Sequence, residues 1–284
     1  MPEGLEAELY RRAAEPACGR PIASVDIDDR QAMAAEIGAA LVGATFVQAR
    51  RIGKLVLLGT DLADATPRRA GCLTPCAPAA TLGLHFGMTG RLIVDDAAPI
   101  AALEYGSRRD DPAWDRFVVT FADGGVLRVN DPRRWATFML DPAEGRLGPD
   151  FLDVTADHLA AAFARRRAAV KTVLLDQSVV AGYGNLCVDE VLWQAGISPS
   201  TPARELSRRA IGRLVELARP HLLGMLARGG SHRGTIDPEL RASLPPCPRD
   251  GAPLRRDQIG GRTTVWCPVH QTGGLHRGRG RAAG

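Results

Sequence analysis

The hydrophobic pattern changes character halfway along the chain. Residues 5–17 read as a helix, and the stretches Val25 to Asp28 and Ala44 to Arg50 read as strands. Arg51-Ile52-Gly53-Lys54 is a turn leading into a buried strand, Leu55 to Leu58. Leu82 to Leu92 holds two apolar strand pieces around a glycine-flanked Met88. Arg116 to Phe121 and Val126 to Val129 flank the turn Ala122-Asp123-Gly124-Gly125, which predicts a hairpin. Pro149 and Asp150 close this β-rich half. Beyond them the period becomes helical: Leu159 to Ala169, then Val170, Val173 and Leu174 on one face. The glycines of Ala181-Gly182-Tyr183-Gly184 break that helix with two tight turns. Asn185 takes the N-cap place of the next helix, whose stripe is Val188, Val191, Leu192 and Ala195, and Gly196 ends it. Asp189 and Glu190 suit that helix's dipole. Leu206 to Ala227 is one long amphipathic helix, and Gly229 to Leu244 is polar and loop-like.

At 284 residues the chain is long enough for two modest domains. No apolar run approaches ~20 residues, so no membrane span is expected, and the acidic N-terminus does not read as a signal peptide. Six scattered cysteines fit a reducing cytoplasm better than a disulfide framework. Residues 60–80, with Cys72 and Cys76, read as an exposed insertion rather than a metal site. The net charge of +4 permits nucleic-acid binding without requiring it. Of 36 basic residues only Lys54 and Lys171 are lysines, so both mark places where a compact ammonium is wanted.

Several groups carry candidate chemistry. The glycine-rich turn ending in Gly184 and Asn185 offers backbone N–H groups to a phosphate; an ordinary helical hairpin explains the same residues. Removal of Met1 would leave Pro2 with a secondary amine of pKa ~8 that can form a Schiff base, with Glu3 beside it for proton transfer. A proline and acidic residues opening a helix explain that start as well. Met88 on its tight loop can be a wedge or a core residue. In Asn130-Asp131-Pro132-Arg133-Arg134-Trp135, arginine forks stand beside a large ring, which suits base edges and stacking but also a solvated turn.

Lys171 to Pro199 resembles the helix–two-turn–helix of the formamidopyrimidine-DNA glycosylase / endonuclease VIII family of bifunctional DNA glycosylases. Further stretches agree with the family in order: Pro2-Glu3 with Glu6, Lys54, Met88, Arg133 to Trp135, and a C-terminal finger. The family finger is C-x2-C, sixteen residues, C-x2-C; here its four positions are Cys247, Asp250, Cys267 and His270, with the spacing kept. The resemblance implies an α+β fold: an N-terminal β-sandwich with flanking helices, a helical helix–two-turn–helix domain and a β-hairpin zinc-finger-like element. It divides the chain into 2–150, 151–240, 241–271 and a disordered basic tail at 272–284. It implies excision of damaged bases through a Pro2 Schiff base, then β- and δ-elimination. Pro2, Glu3, Lys54 and Arg262 would be catalytic. Met88, Arg133, Arg134, Trp135, Lys171, Gly184 and Asn185 would bind DNA, with Met88 and Trp135 filling space beside the extruded base and Arg133 facing its orphaned partner. Cys247, Asp250, Cys267 and His270 would hold a structural zinc, although two of the usual thiolates are replaced. The expected partner is double-stranded DNA with damaged bases or abasic sites. A cytoplasmic, nucleoid-associated monomer is expected. Leu5, where many members have proline, and the short Gly229 to Leu244 segment depart from the family. They leave open which lesion is taken. A non-catalytic damaged-DNA binder is the alternative.

Overall fold

The computed structural model describes residues 2–28, 30–31, 33–61, 78–100, 103, 106–107 and 109–272. Met1, Cys72, Cys76 and the tail beyond 272 lie outside the described residues, so the readings on them stay expectations. The chain divides into two compact units, Met1–Gly145 and Arg146–Gly284. No helix among the described residues is long and apolar enough to cross a membrane.

The first unit opens with α1 (Gly4–Ala14), extended by a 3-10 turn at Glu15–Ala17. Then come β1 (Ile22–Ile27), α2 (Ala34–Leu41), β2 (Thr45–Ile52), β3 (Leu55–Asp61), β4 (Ala80–His85), β5 (Arg91–Val94), β6 (Asp115–Phe121), β7 (Val126–Asn130) and β8 (Thr137–Leu140). They form two antiparallel four-stranded sheets, β1-β6-β7-β5 and β2-β3-β4-β8. Successive side chains on a strand alternate between faces. Phe117, Val119 and Phe121 of β6 therefore all point inward. Their rings meet the other sheet, with Phe117 4.9 Å from Phe138 and Phe121 6.3 Å from Phe46. Ala7, Tyr10 and Ala14 of α1 and Ile37 and Leu41 of α2 complete this core. This is the expected sandwich with flanking helices. The insertion is narrower than expected, because Thr60 and Ala80 still pair as strand residues.

The second unit holds α3 (Ala156–Phe163), α4 (Val170–Leu174), α5 (Asn185–Ala195), α6 (Arg208–Ala227), α7 (Pro238–Ser243), β9 (Arg255–Ile259) and β10 (Arg262–Trp266). Four expectations shift. The helix expected over Leu159 to Ala169 stops at Phe163. Arg166 and Ala168 instead accept backbone hydrogen bonds from Arg204 and Ala203 at 3.0 and 2.9 Å, an extended pairing that leaves the arginines facing solvent. The segment expected to be loop-like contains α7, capped by Asp237, whose Oδ1 accepts from Leu240 N at 2.8 Å, with Pro238 in the first turn. The N-cap of α5 is Gly184, not Asn185, because the Asn185 amide is used elsewhere. Asp189 and Glu190 are buried inside α5 rather than decorating its first turn. Two elements, α2 and β8, carry too few periodic residues to stand out in the sequence.

Candidate functional site

In the first unit, Glu3 is the N-cap of α1 and forms a capping box with Glu6. Its own N–H donates to Glu6 Oε2 at 2.8 Å. Two orphan donors of the helix start are thereby satisfied. Pro2 just ahead is buried, and Glu3 and Glu6 are each only 2% exposed. Two carboxylates thus flank the chain start. The helix is anchored at two points. Glu8 Oε2 lies 3.2 Å from Arg51 Nε, beside the Lys54 turn. Burial pushes the Glu8 pKa up, but Arg11, Arg12 and Arg51 together outweigh it and hold the group ionised. Tyr10 donates to the Gly90 carbonyl at 3.1 Å, beside Met88. Burial, with Glu6 nearby, raises the Tyr10 pKa well above the usual value, so the phenol stays a donor.

The register of the second sheet brings three loops to one end. Leu55, first in β3, pairs with His85, last in β4, and His85 pairs with Thr137, first in β8. The Gly53-Lys54 turn, the Met88 loop and the 131–136 loop therefore leave the sheet at the same edge. His85 accepts from Gly87 N through Nδ1 at 3.2 Å. Burial, then the Lys54 charge, lowers its pKa, so it is neutral beside the lysine.

Asp131 shapes the third loop. Its carboxylate accepts from the N–H groups of Arg133, Trp135 and Ala136 at 3.2, 2.7 and 2.8 Å. It also accepts from the Thr89 hydroxyl, which ties in the Met88 loop. The two loops touch so closely at Gly87 that a Cβ there would come within 2.5 Å of the Trp135 carbonyl. Arg134 is left-handed at φ +57°, which costs about 1–2 kcal/mol for a residue with a Cβ. The outcome is presentation: Arg133, Arg134 and Trp135 are exposed, Trp135 at 56%, and Met88 is half-buried. An Asp just before a turn, able to accept from the next backbone N–H groups, is the sequence signal for the role of Asp131.

In the second unit, Lys171 corrects the expectation of a DNA contact. Its side chain is 0% exposed and its Nζ lies 2.7 Å from Asp189 Oδ1. It also donates to Thr264 Oγ1 at 2.8 Å. Asp189 Oδ2 meets Arg241 Nη1 at 2.5 Å and accepts from Val265 N at 3.2 Å. A buried ammonium so engaged cannot also face a phosphate in solvent. The Thr263 carbonyl draws in Lys171, Asn185 and Arg241 at 3.2, 2.9 and 2.9 Å. Strand β10 is thereby fastened to α5, with Arg262 exposed just after the Gly260-Gly261 turn. Gly184 and Asn185 stay at the positive end of α5, where an anion is favoured. Glu190, missed as a structural group, accepts from Ile236 N at 2.7 Å and Gln194 Nε2 at 3.0 Å and faces His221 Nε2 at 2.7 Å.

Cys247, Asp250, Cys267 and His270 come together, with ligand atoms all within 4.8 Å of one another. A tetrahedral zinc with bonds of ~2.0–2.3 Å has edges of about 3.3–3.8 Å. Cys247 Sγ to His270 Nδ1 is 3.5 Å, His270 Nδ1 to Asp250 Oδ2 is 3.4 Å and Asp250 Oδ2 to Cys267 Sγ is 3.2 Å. His270 keeps Nδ1 toward the cluster, while Nε2 donates to the Trp193 carbonyl at 3.1 Å, the usual second partner of a ligating imidazole. The Ala252 N–H and other donors hold the Asp250 pKa down to about 2, so it is a carboxylate. The four residues fit a divalent metal.

Comparison with known proteins agrees with this geometry. Residues 1–138 match the formamidopyrimidine-DNA glycosylase N-terminal domain and residues 147–235 the formamidopyrimidine-DNA glycosylase H2TH domain. The formamidopyrimidine-DNA glycosylase of Xanthomonas campestris pv. campestris (strain 8004) is 33% identical over 95% of this chain and its own full length. That of Geobacter metallireducens is 32% identical over 96% of this chain and all of its own. The Lactococcus lactis Fpg (MutM) structure in complex with DNA containing N7-benzyl-Fapy-dG superimposes with a TM-score of 0.76 at 25% identity. It covers 96% of this chain and all of its own. A second complex of the Lactococcus lactis protein, with DNA containing an oxidized pyrimidine, gives 0.74 at 25% identity, with the same coverage. With both units matched and relatives aligned end to end, the chain belongs to the formamidopyrimidine-DNA glycosylase family.

Proposed function

We propose that the protein excises damaged bases from double-stranded DNA and then cleaves the strand at the resulting abasic site. The observation that carries this is the start of α1, where buried Pro2 directly precedes the buried, mutually hydrogen-bonded Glu3 and Glu6. With Met1 removed, the Pro2 lone pair attacks C1′ and the glycosidic electron pair leaves with the base, which takes up a proton. Glu3 gives a proton to O4′ as the sugar ring opens, and the nitrogen lone pair forms the iminium. Loss of a C2′ proton expels the 3′ phosphate, and a second elimination expels the 5′ phosphate. Water at C1′ then frees the amine. Lys54 and Arg262 neutralise the departing phosphates, and Gly184 and Asn185 hold the backbone at the α5 N-terminus. Met88 and Trp135 fill the space beside the extruded base, and Arg133 faces its orphaned partner.

Borohydride should trap a covalent complex with an abasic-site duplex, and the linked peptide should begin at Pro2. Trapping that survives a blocked N-terminus would move the nucleophile to Lys54. No trapping at all would favour a non-catalytic damaged-DNA binder.

Cys247, Asp250, Cys267 and His270 would hold a structural zinc, which supplies a cross-link between the two ends of the hairpin. Protein purified without added zinc should carry about one metal per chain, and a strong chelator should remove it together with DNA binding. A fully active, metal-free enzyme would remove zinc from this reading.

A further inference from the structure

The loop that presents Arg133 and Trp135 is gripped from outside by one short segment at the end of β1. Asp28 has a side chain only 6% exposed, with Oδ2 3.0 Å from Arg134 Nη1. The same Oδ2 is 3.8 Å from Arg116 Nη1, and Arg116 Nε donates to the Asp131 carbonyl at 2.9 Å. Three residues on, Gln31 Nε2 donates to the Ala136 carbonyl at 3.1 Å. Asp28 itself is held, since its N–H donates to the Arg116 carbonyl at 2.9 Å. The loop is thus fixed from inside by the Asp131 carboxylate and from outside by Asp28 and Gln31.

The outer grip acts on the strained residue. Arg134 holds a left-handed backbone, φ +57°, which places Trp135 and Arg133 on either side of it. An L-residue stays in that region only when its surroundings over-determine it. Asp131 holds the N–H groups on either side of Arg134, and Asp28 adds to that constraint through the Arg134 guanidinium.

We propose that Asp28 is a positioning residue for reading the base opposite the lesion: by clamping Arg134 it sets where Arg133 and Trp135 stand. This rests on the assignment of Arg133 and Trp135 to the duplex. It adds a specificity-determining residue that touches neither DNA nor reacting atoms. Removing the clamp lets Arg134 relax and the fork of Arg133 wander. A misplaced bidentate fork loses most of its discrimination between bases, about tenfold or more. The chemistry at C1′ needs no opposite base and is untouched.

The test uses the full chain and Asp28→Asn, which keeps the shape and removes the charge. The clamp borders an open polar recess of 510 Å³ lined in part by Asp26, Asp115 and Arg116, so the swap needs no repacking. Excision rates are measured on duplexes carrying one lesion opposite each of the four bases. Cleavage of a preformed abasic site in single-stranded DNA is measured alongside. Asp28→Asn should cleave the single strand at the wild-type rate and flatten the opposite-base ratio about tenfold. Arg134→Ala should flatten it equally, and the double variant should lose nothing more. An unchanged ratio in Asp28→Asn, or additive losses in the double variant, would overturn the proposal. Should the wild-type protein itself cleave no abasic DNA, the proposed activity fails and the clamp is judged by urea unfolding. A coupling between Asp28→Asn and Arg134→Ala then supports it, and additive stabilities overturn it.

Discussion

Asp131 and Asp189 are both buried aspartates, 0% and 2% exposed, and they are satisfied in opposite ways. Asp131 accepts from three nearby backbone N–H groups and a threonine hydroxyl. Asp189 faces two cations, Lys171 and Arg241, that are distant in sequence. The first arrangement bends one loop; the second pins separate elements, α4, α5, α7 and β10, together. A carboxylate held by dipoles leaves no charge stranded when it is removed, whereas one held by cations leaves those cations buried and unpaired.

That difference sets the scale of the expected effects. Asp189→Ala should be the most damaging change, costing about 3–5 kcal/mol because Lys171 and Arg241 lose their counter-charge. Urea unfolding measures it, and a second substitution, Lys171→Met, should recover part of the loss. Asp131→Ala strands N–H groups at Trp135 and Ala136, so about 1–3 kcal/mol should go. Its effect on affinity for abasic duplex should exceed its effect on stability, the reverse of Asp189→Ala.

The acid limb sharpens the contrast further. Burial raises the Glu190 pKa, but His221, the Ile236 N–H and Gln194 together bring it below its ordinary value. A carboxyl depressed in the folded state stabilises it above the unfolded value, near 4.5, and the contribution fades as pH falls through the folded value. Wild-type protein should therefore lose stability below about pH 4.5, and Glu190→Gln should lose less over that range. Trp135→Ala marks the smallest structural effect. The side chain is exposed, so melting should move by no more than about 0.5 kcal/mol. DNA binding, followed by fluorescence anisotropy, should still weaken.

Much of this was legible before any fold was known. Strand alternation, the Gly53-Lys54 turn, the glycine-rich turn before α5 and the spacing of Cys247, Asp250, Cys267 and His270 are local features. Local backbone chemistry and periodicity fix them without reference to distant residues. Pro2-Glu3 is likewise visible as chemistry, since an N-terminal secondary amine needs no partner to be nucleophilic.

Tertiary structure alone decided what long side chains do. Lys171 is assigned to DNA by the resemblance, and nothing in the local sequence shows a partner for it. Its partners, Asp189 and Thr264, come from α5 and β10. Asn185 takes a capping position in the local pattern, yet its amide donates to the Thr263 carbonyl. Asp28 carried no signal at all, since its role depends on Arg134, more than a hundred residues away and beside it only after β1 and β6 pair. Charged groups act through whatever the fold places within a few ångströms, and pairings across the chain are not written in the local pattern. The sequence by itself determined most of the strands, the glycine turns and the inventory of reactive groups, but not α2, β8, α7 or the end of α3. The packing of the sheets and of α5 determined which of those groups face solvent and which are buried in ion pairs.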